Sequence, residues 1–165
     1  MRRIANAVLC AIALVAGLLA SAQQTQTVSP KLRGIVDSMK AYAESKPQYM
    51  NRTPQGNFYF KWLMSPPPGF DKAYFKLGEL NKGTKFLSLQ LIRKTPAGVE
   101  LTVLNDIDMN NVVEEAFKAT GKNLQEADKA IGMAADKTRL AVTPEMAQNW
   151  AVMIDELRWE LKDKD

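Results

Sequence analysis

The sequence predicts an α+β fold: an N-terminal helix, an antiparallel meander of three to four strands, then three C-terminal helices packed on the sheet. Three observations carry this. Leu32, Ile35, Val36, Met39 and Tyr42 recur at helical spacing, the period drops to two between Phe58 and Val103, and helical spacing returns after Asn105. Strands grouped together with helices grouped beside them define α+β rather than alternating α/β architecture.

Taken in order, Ser29-Pro30 supplies an N-cap and a proline at the first helical position, and Pro47 stops the helix that follows. Asn51–Gly56 reads as a turn. Phe58, Phe60, Trp62 and Met64 alternate with Tyr59, Lys61 and Leu63, which gives a strand with one strongly apolar face. Pro66-Pro67-Pro68-Gly69 cannot continue a ladder and forms an extended loop. In 72–80 the pattern fits a strand through Ala73, Phe75 and Leu77 and a helix through Ala73, Leu77 and Leu80; the strand is preferred. Leu87, Leu89 and Leu91, then Val99, Leu101 and Val103, flank Thr95-Pro96-Ala97-Gly98, a hairpin with proline and glycine where a type I turn wants them. Helices are expected from Asn105 to Gly121, from Asn123 (with Glu126 completing a capping box) to Gly132, and from Pro144 to about Lys162. The last carries Met146, Trp150, Met153, Ile154, Leu157 and Leu161 on one face, expected to cover Phe58, Phe60 and Trp62; Trp159 points away from it.

Residues 1–22 read as a secretory signal peptide: Arg2 and Arg3, an uninterrupted apolar run of 14 residues from Ala7 to Ala20, and Ala20-Ser21-Ala22 as the cleavage motif. The run is short of the ~20 residues that span a bilayer, so no membrane span is expected after cleavage. Bulky Leu9 before Cys10 argues against a lipid-attachment site. Residues 23–165 then form a single globular domain, periplasmic or secreted. Its chain has no His, and Cys10 lies inside the signal. Disulfides, thiol nucleophiles, imidazole bases and ordinary zinc sites are thereby excluded from it.

Little catalytic chemistry remains. Asp106-Ile107-Asp108-Met109-Asn110 starts like a calcium loop, but Asn111 stands where the turn glycine belongs and Phe117 where the bidentate glutamate belongs. The acids are better read as helix-start carboxylates, so no metal and no cofactor is expected. Glu114, Glu115, Glu156 and Glu160 could supply a general acid/base pair, yet each fits a solvated helix face, with Glu160 four residues before Lys164. Ser38 and Lys40 point apart on their helix, and Ser45-Lys46 lacks a glycine-rich turn for an oxyanion hole. No phosphate-binding glycine motif occurs.

Charge is segregated. Residues 23–98 hold 12 cations and 4 anions, while 99–165 hold 8 and 14. Lys72, Lys76, Lys82, Lys85, Arg93 and Lys94 concentrate in the meander, as an anion-facing surface or as lysines guarding sheet edges against pairing. Export and a near-neutral total argue against nucleic acid. Tyr59, Phe70, Tyr74 and Trp159 are the candidate exposed anchors, with Lys72 and Lys76 supplying charge. The expected function is an exported, non-enzymatic binding or accessory protein for an anionic or apolar partner: a protein, a glycan or a lipid. Its alternatives are a carboxylate-dependent glycan hydrolase and a carrier for an apolar ligand, which the eight methionines would suit.

Overall fold

The computed structural model describes residues 26–162, so residues 1–22, expected as a signal peptide, lie outside the described residues. In chain order come helix α1 (Pro30–Glu44), a 3-10 turn (Pro47–Tyr49), strands β1 (Met50–Thr53), β2 (Gly56–Trp62), β3 (Lys72–Leu80), β4 (Lys85–Thr95), β5 (Gly98–Asp106) and β6 (Glu115–Gly121). Helix α2 (Leu124–Met133), a single turn α3 (Ala135–Thr138), the two-residue strand β7 (Arg139–Leu140) and helix α4 (Pro144–Lys162) follow. All seven strands form one antiparallel sheet whose spatial order is the chain order. The class is α+β. The arrangement inside it differs from the expectation, with seven strands in place of three or four. No helix among the described residues is long and apolar enough to cross a membrane.

Both faces of the sheet are covered. On one, Tyr59, Ala73, Phe75, Leu77, Leu87, Leu89 and Leu91 meet Ile35 and Met39 of α1 and Trp150, Ile154 and Leu157 of α4. Phe75 and Trp150 pack edge to face at 5.6 Å. On the other, Ile92, Leu101, Val103 and Phe117 meet Ala127 and Ile131 of α2, while Phe58, Phe60, Leu80 and Phe86 pack with Tyr49. α4 therefore covers the face opposite Phe58, Phe60 and Trp62, which corrects the expectation. The reason is continuity. β3 and β4 present unbroken apolar side chains toward α1 and α4, whereas the Phe58 face is interrupted by Lys76, Ser88 and Gln90.

The second correction is β6, expected as helix. Its apolar residues fall on both faces, Ala116 toward α1 and α4 and Phe117 and Ala119 toward α2, so period two is masked. Pairing with β5 (Val103 opposite Phe117) decides the conformation, a tertiary effect overriding local pattern. β1 was hidden in the turn-rich stretch; it pairs with β2 through a two-residue turn, Pro54-Gln55.

Ser29 does not cap α1 with its side chain; its backbone N–H donates to the Met109 carbonyl at 2.9 Å. Asn123 does cap α2: its Oδ1 accepts from Glu126 N at 3.0 Å, and Glu126 Oε2 accepts from Lys122 N. Gly78 lies between Phe58 and Phe86 in register, and any Cβ there would run into the Phe86 ring.

The last turn of α4 is tied to β2. Lys61 and Glu160, both buried, form an ion pair, and Glu160 Oε1 accepts from the Met64 N–H at 2.6 Å. Lys61 also donates to the Trp62 carbonyl at 2.9 Å. Glu160 is thus an interior anchor and not a solvated helix acid. Two unsatisfied charges would be costly here, so each supplies the other's partner.

Candidate functional site

The polar interruption of the Phe58 face is the unusual feature of this sheet. Phe60, Lys76, Ser88, Asn105 and Glu115 are register neighbours from β2 to β6, and Trp62, Tyr74, Gln90, Val103 and Phe117 form the next row. Lys76, Ser88, Gln90, Asn105 and Glu115 are all buried, as is Asp128, which α2 brings over the same face. Part of this network is self-sufficient. Gln90 Nε2 donates to Ser88 Oγ at 3.0 Å, and Glu115 pairs with Arg139, which also stacks 5.5 Å from the Phe117 ring.

Among the described residues the Lys76 and Asp128 charges have no partner within ion-pair distance, and one solvent-shielded atom of this face, Gln90 Oε1, has no donor. The Lys76 side chain is 5% exposed, and its ammonium has no hydrogen-bond acceptor among the described residues; its Nζ lies 5.8 Å from the Phe86 ring centroid. Burial pulls the Lys76 amine below its ordinary range, with Asp128 opposing from beyond contact distance. Burial pushes Asp128 up, with Lys76 opposing. The Tyr74 hydroxyl is pushed far above its usual value by burial and by the charge on Asp128.

Beside this pair lies a half-buried aromatic rim. Tyr74 packs against Trp62 at 4.6 Å and against Phe60 at 6.3 Å. Exposed Lys72 carries its Nζ 5.9 Å from the Trp62 ring. Tyr74, Lys72 and Lys76 are the anchors read from the sequence that come together. The remaining candidates do not join them. Tyr59 is 3% exposed on the opposite face, its ring under Lys40 and its hydroxyl 3.4 Å from Glu79, because strand alternation turns it toward α1. Phe70 packs against the core beneath α1 and α4. Trp159 is 57% exposed on the outer side of α4.

Trp62, Gln90, Ser88 and Asp128 were missed as site residues. Their signal was present as polar residues alternating with leucine in β4, but such alternation reads as a solvated face until a helix is known to cover it.

The acids form a different arrangement. Asp106, Asp108 and Glu114 place carboxylate oxygens within 4.8 Å of one another, the group of described residues that could converge on a metal ion. They start no helix. They hold a loop in which Met109 and Asn111 take positive φ (62° and 72°), so Asn111 adopts the left-handed conformation that glycine favours and asparagine tolerates. Asp106 accepts from the N–H groups of Asn110 and Asn111, and Glu114 accepts from Ile107 N. Burial pushes Asp106 up to about 7, helped by Glu114 and Asp108 and opposed by the loop N–H bonds. A groove of about 450 Å³ beside Gln26, Arg33, Asp37 and Lys85 adjoins the acidic loop, because Gln26 Nε2 also donates to the Ile107 carbonyl at 3.2 Å. Gln26 there is occupied with the backbone of Lys85.

The chain matches no family model, no curated protein and no solved structure, so its own residues carry the functional argument.

Proposed function

We propose that this chain is an exported, non-enzymatic binding or accessory protein of the periplasm or extracellular space. It holds an anionic or apolar partner at the seat made by Trp62, Tyr74, Lys72 and Lys76. The observation that carries the reading is the Lys76 side chain, only 5% exposed and with no acceptor for its ammonium among the described residues, beside a half-buried aromatic rim. A fold gains nothing from burying such a charge, whereas a binding protein gains an anchor. Charge elsewhere in the meander is partly spoken for: Glu79 pairs with Lys40 and Lys85, and Glu100 with Arg93 and Lys118. Lys72 and Lys76 are left available at the seat.

A carboxylate-dependent hydrolase finds less support. Glu115 and Glu160 are tied to Arg139 and Lys61, and Glu114 is tied to its own loop. The test is native mass spectrometry of the protein purified from its own host. The reading expects a bound mass on the wild type that is lost from folded Lys76→Met and Tyr74→Ala proteins. A bound mass that survives both changes, or none on the wild type, overturns it.

A further inference from the structure

Lys76 and its surroundings restrict what the seat can take. Around the ammonium the wall is hydrocarbon and aromatic: Phe60 and Ser88 are its cross-strand neighbours, and Phe86 lies across its amine. The nearest polar side chains, Ser88 and Gln90, are bonded to each other. A sugar would bring many hydroxyls and find few partners here. A neutral apolar chain would cover the ammonium without giving it an acceptor, which is costly. A phosphate or sulfate ester is recognised by arginine forks or by a free helix N-terminus. Arg139 is committed to Glu115, and the Glu126 N–H in the first turn of α2 is taken by the Asn123 side chain. Asp128 above the seat further disfavours a second negative charge.

We propose that the seat takes an amphipathic monocarboxylate, with one carboxylate on the Lys76 ammonium and an apolar chain lying along the half-buried rings of Trp62 and Tyr74. This rests on the binding reading above and narrows it to a ligand class. One carboxylate matches one ammonium, and the aromatic rim gives the chain a surface that water covers poorly. Lys72, exposed at the rim, attracts the anion during approach.

The experiment uses decanoate, its methyl ester and acetate as probes, titrated into the protein by isothermal calorimetry. Decanoate is expected to bind once per chain and about tenfold tighter than the ester, the margin of a charge-assisted hydrogen bond. Acetate is expected not to bind. Lys76→Met should bring decanoate down to the affinity of the ester and leave the ester unchanged. Selective carbon NMR of the lysine side chains gives an independent readout on the unaltered protein: the Lys76 Cε resonance should move on addition of decanoate. Equal affinity for acid and ester, or a Lys76 resonance that stays still while decanoate binds, overturns the ligand class. So does a complete failure of decanoate to bind. If the mass retained from the host is then another kind of molecule lost on Lys76→Met, the binding reading survives and only the ligand class falls.

Discussion

Lys76 occupies a position where methionine would serve the fold better. Its stem is long and apolar, its neighbours are Phe60 and Phe86, and burial already pulls its amine toward the neutral form. A buried polar group left without a partner costs about 1–3 kcal/mol. Lys76→Met should therefore raise the melting temperature at pH 7 by several degrees, as read by circular dichroism; a fall would mean that the lysine serves packing and not binding. Asp106 makes the opposite kind of statement, through pH. Its carboxyl is held up to about 7 in the folded chain against about 3.9 when unfolded. Between those values the folded state keeps a proton that the unfolded state has released, so this group favours folding below about pH 4 and loses that contribution as pH rises to about 7. Glu114 and Asp128, also raised by burial, act in the same direction. The wild type should melt lower at pH 8 than at pH 5, and Asp106→Asn should flatten that difference. An unchanged slope in the variant would place the buried proton elsewhere.

At the scale of the element, α4 offers the cleanest contrast because two tryptophans share one helix. Trp150 is buried against Phe75 and its indole N–H donates to Asn111 Oδ1 at 3.3 Å, whereas Trp159 faces solvent. Trp150→Ala should cost about 3–5 kcal/mol, or roughly 10 °C in melting temperature. Trp159→Ala should barely move it. Equal losses would require a partner over the outer side of α4. This helix was legible from its apolar stripe alone, as were α1, α2 and the hairpin of β4 and β5. Helical spacing says which face is buried but not against what, so the docking of α4 was assigned to the wrong side of the sheet. β6 was illegible for a related reason: Ala116 and Phe117 are both buried, on opposite faces, and a strand covered on two sides loses the alternation that identifies it. β1 and β7 are four and two residues long, too short to carry a pattern at all.

The whole molecule explains why the site was only half readable. Tyr74, Lys72 and Lys76 are visible as residue types near the proline loop, but Lys76 reads as a surface charge because nothing local reveals that both faces of its strand are covered. Trp62 was assigned to the core since its exposure depends on where the sheet face ends. The topology has a further consequence, for the route by which the chain reaches this structure. Because spatial order equals chain order, each strand can zip onto the one just formed, and neighbouring hairpins need only short loops to close. The joint between the first half and the last helix is different: Lys61 and Glu160 are 99 residues apart. Closing that span before the sheet exists would be entropically expensive, so α4 should dock after the rate-limiting barrier. Glu160→Gln, which strands the Lys61 charge and costs about 3–5 kcal/mol, should then speed unfolding and leave the refolding rate nearly unchanged in stopped-flow measurements. A matching slowdown in refolding would instead put the helix in the nucleus. On the proposed order, the contact made last in folding is the one whose loss first lets the molecule go.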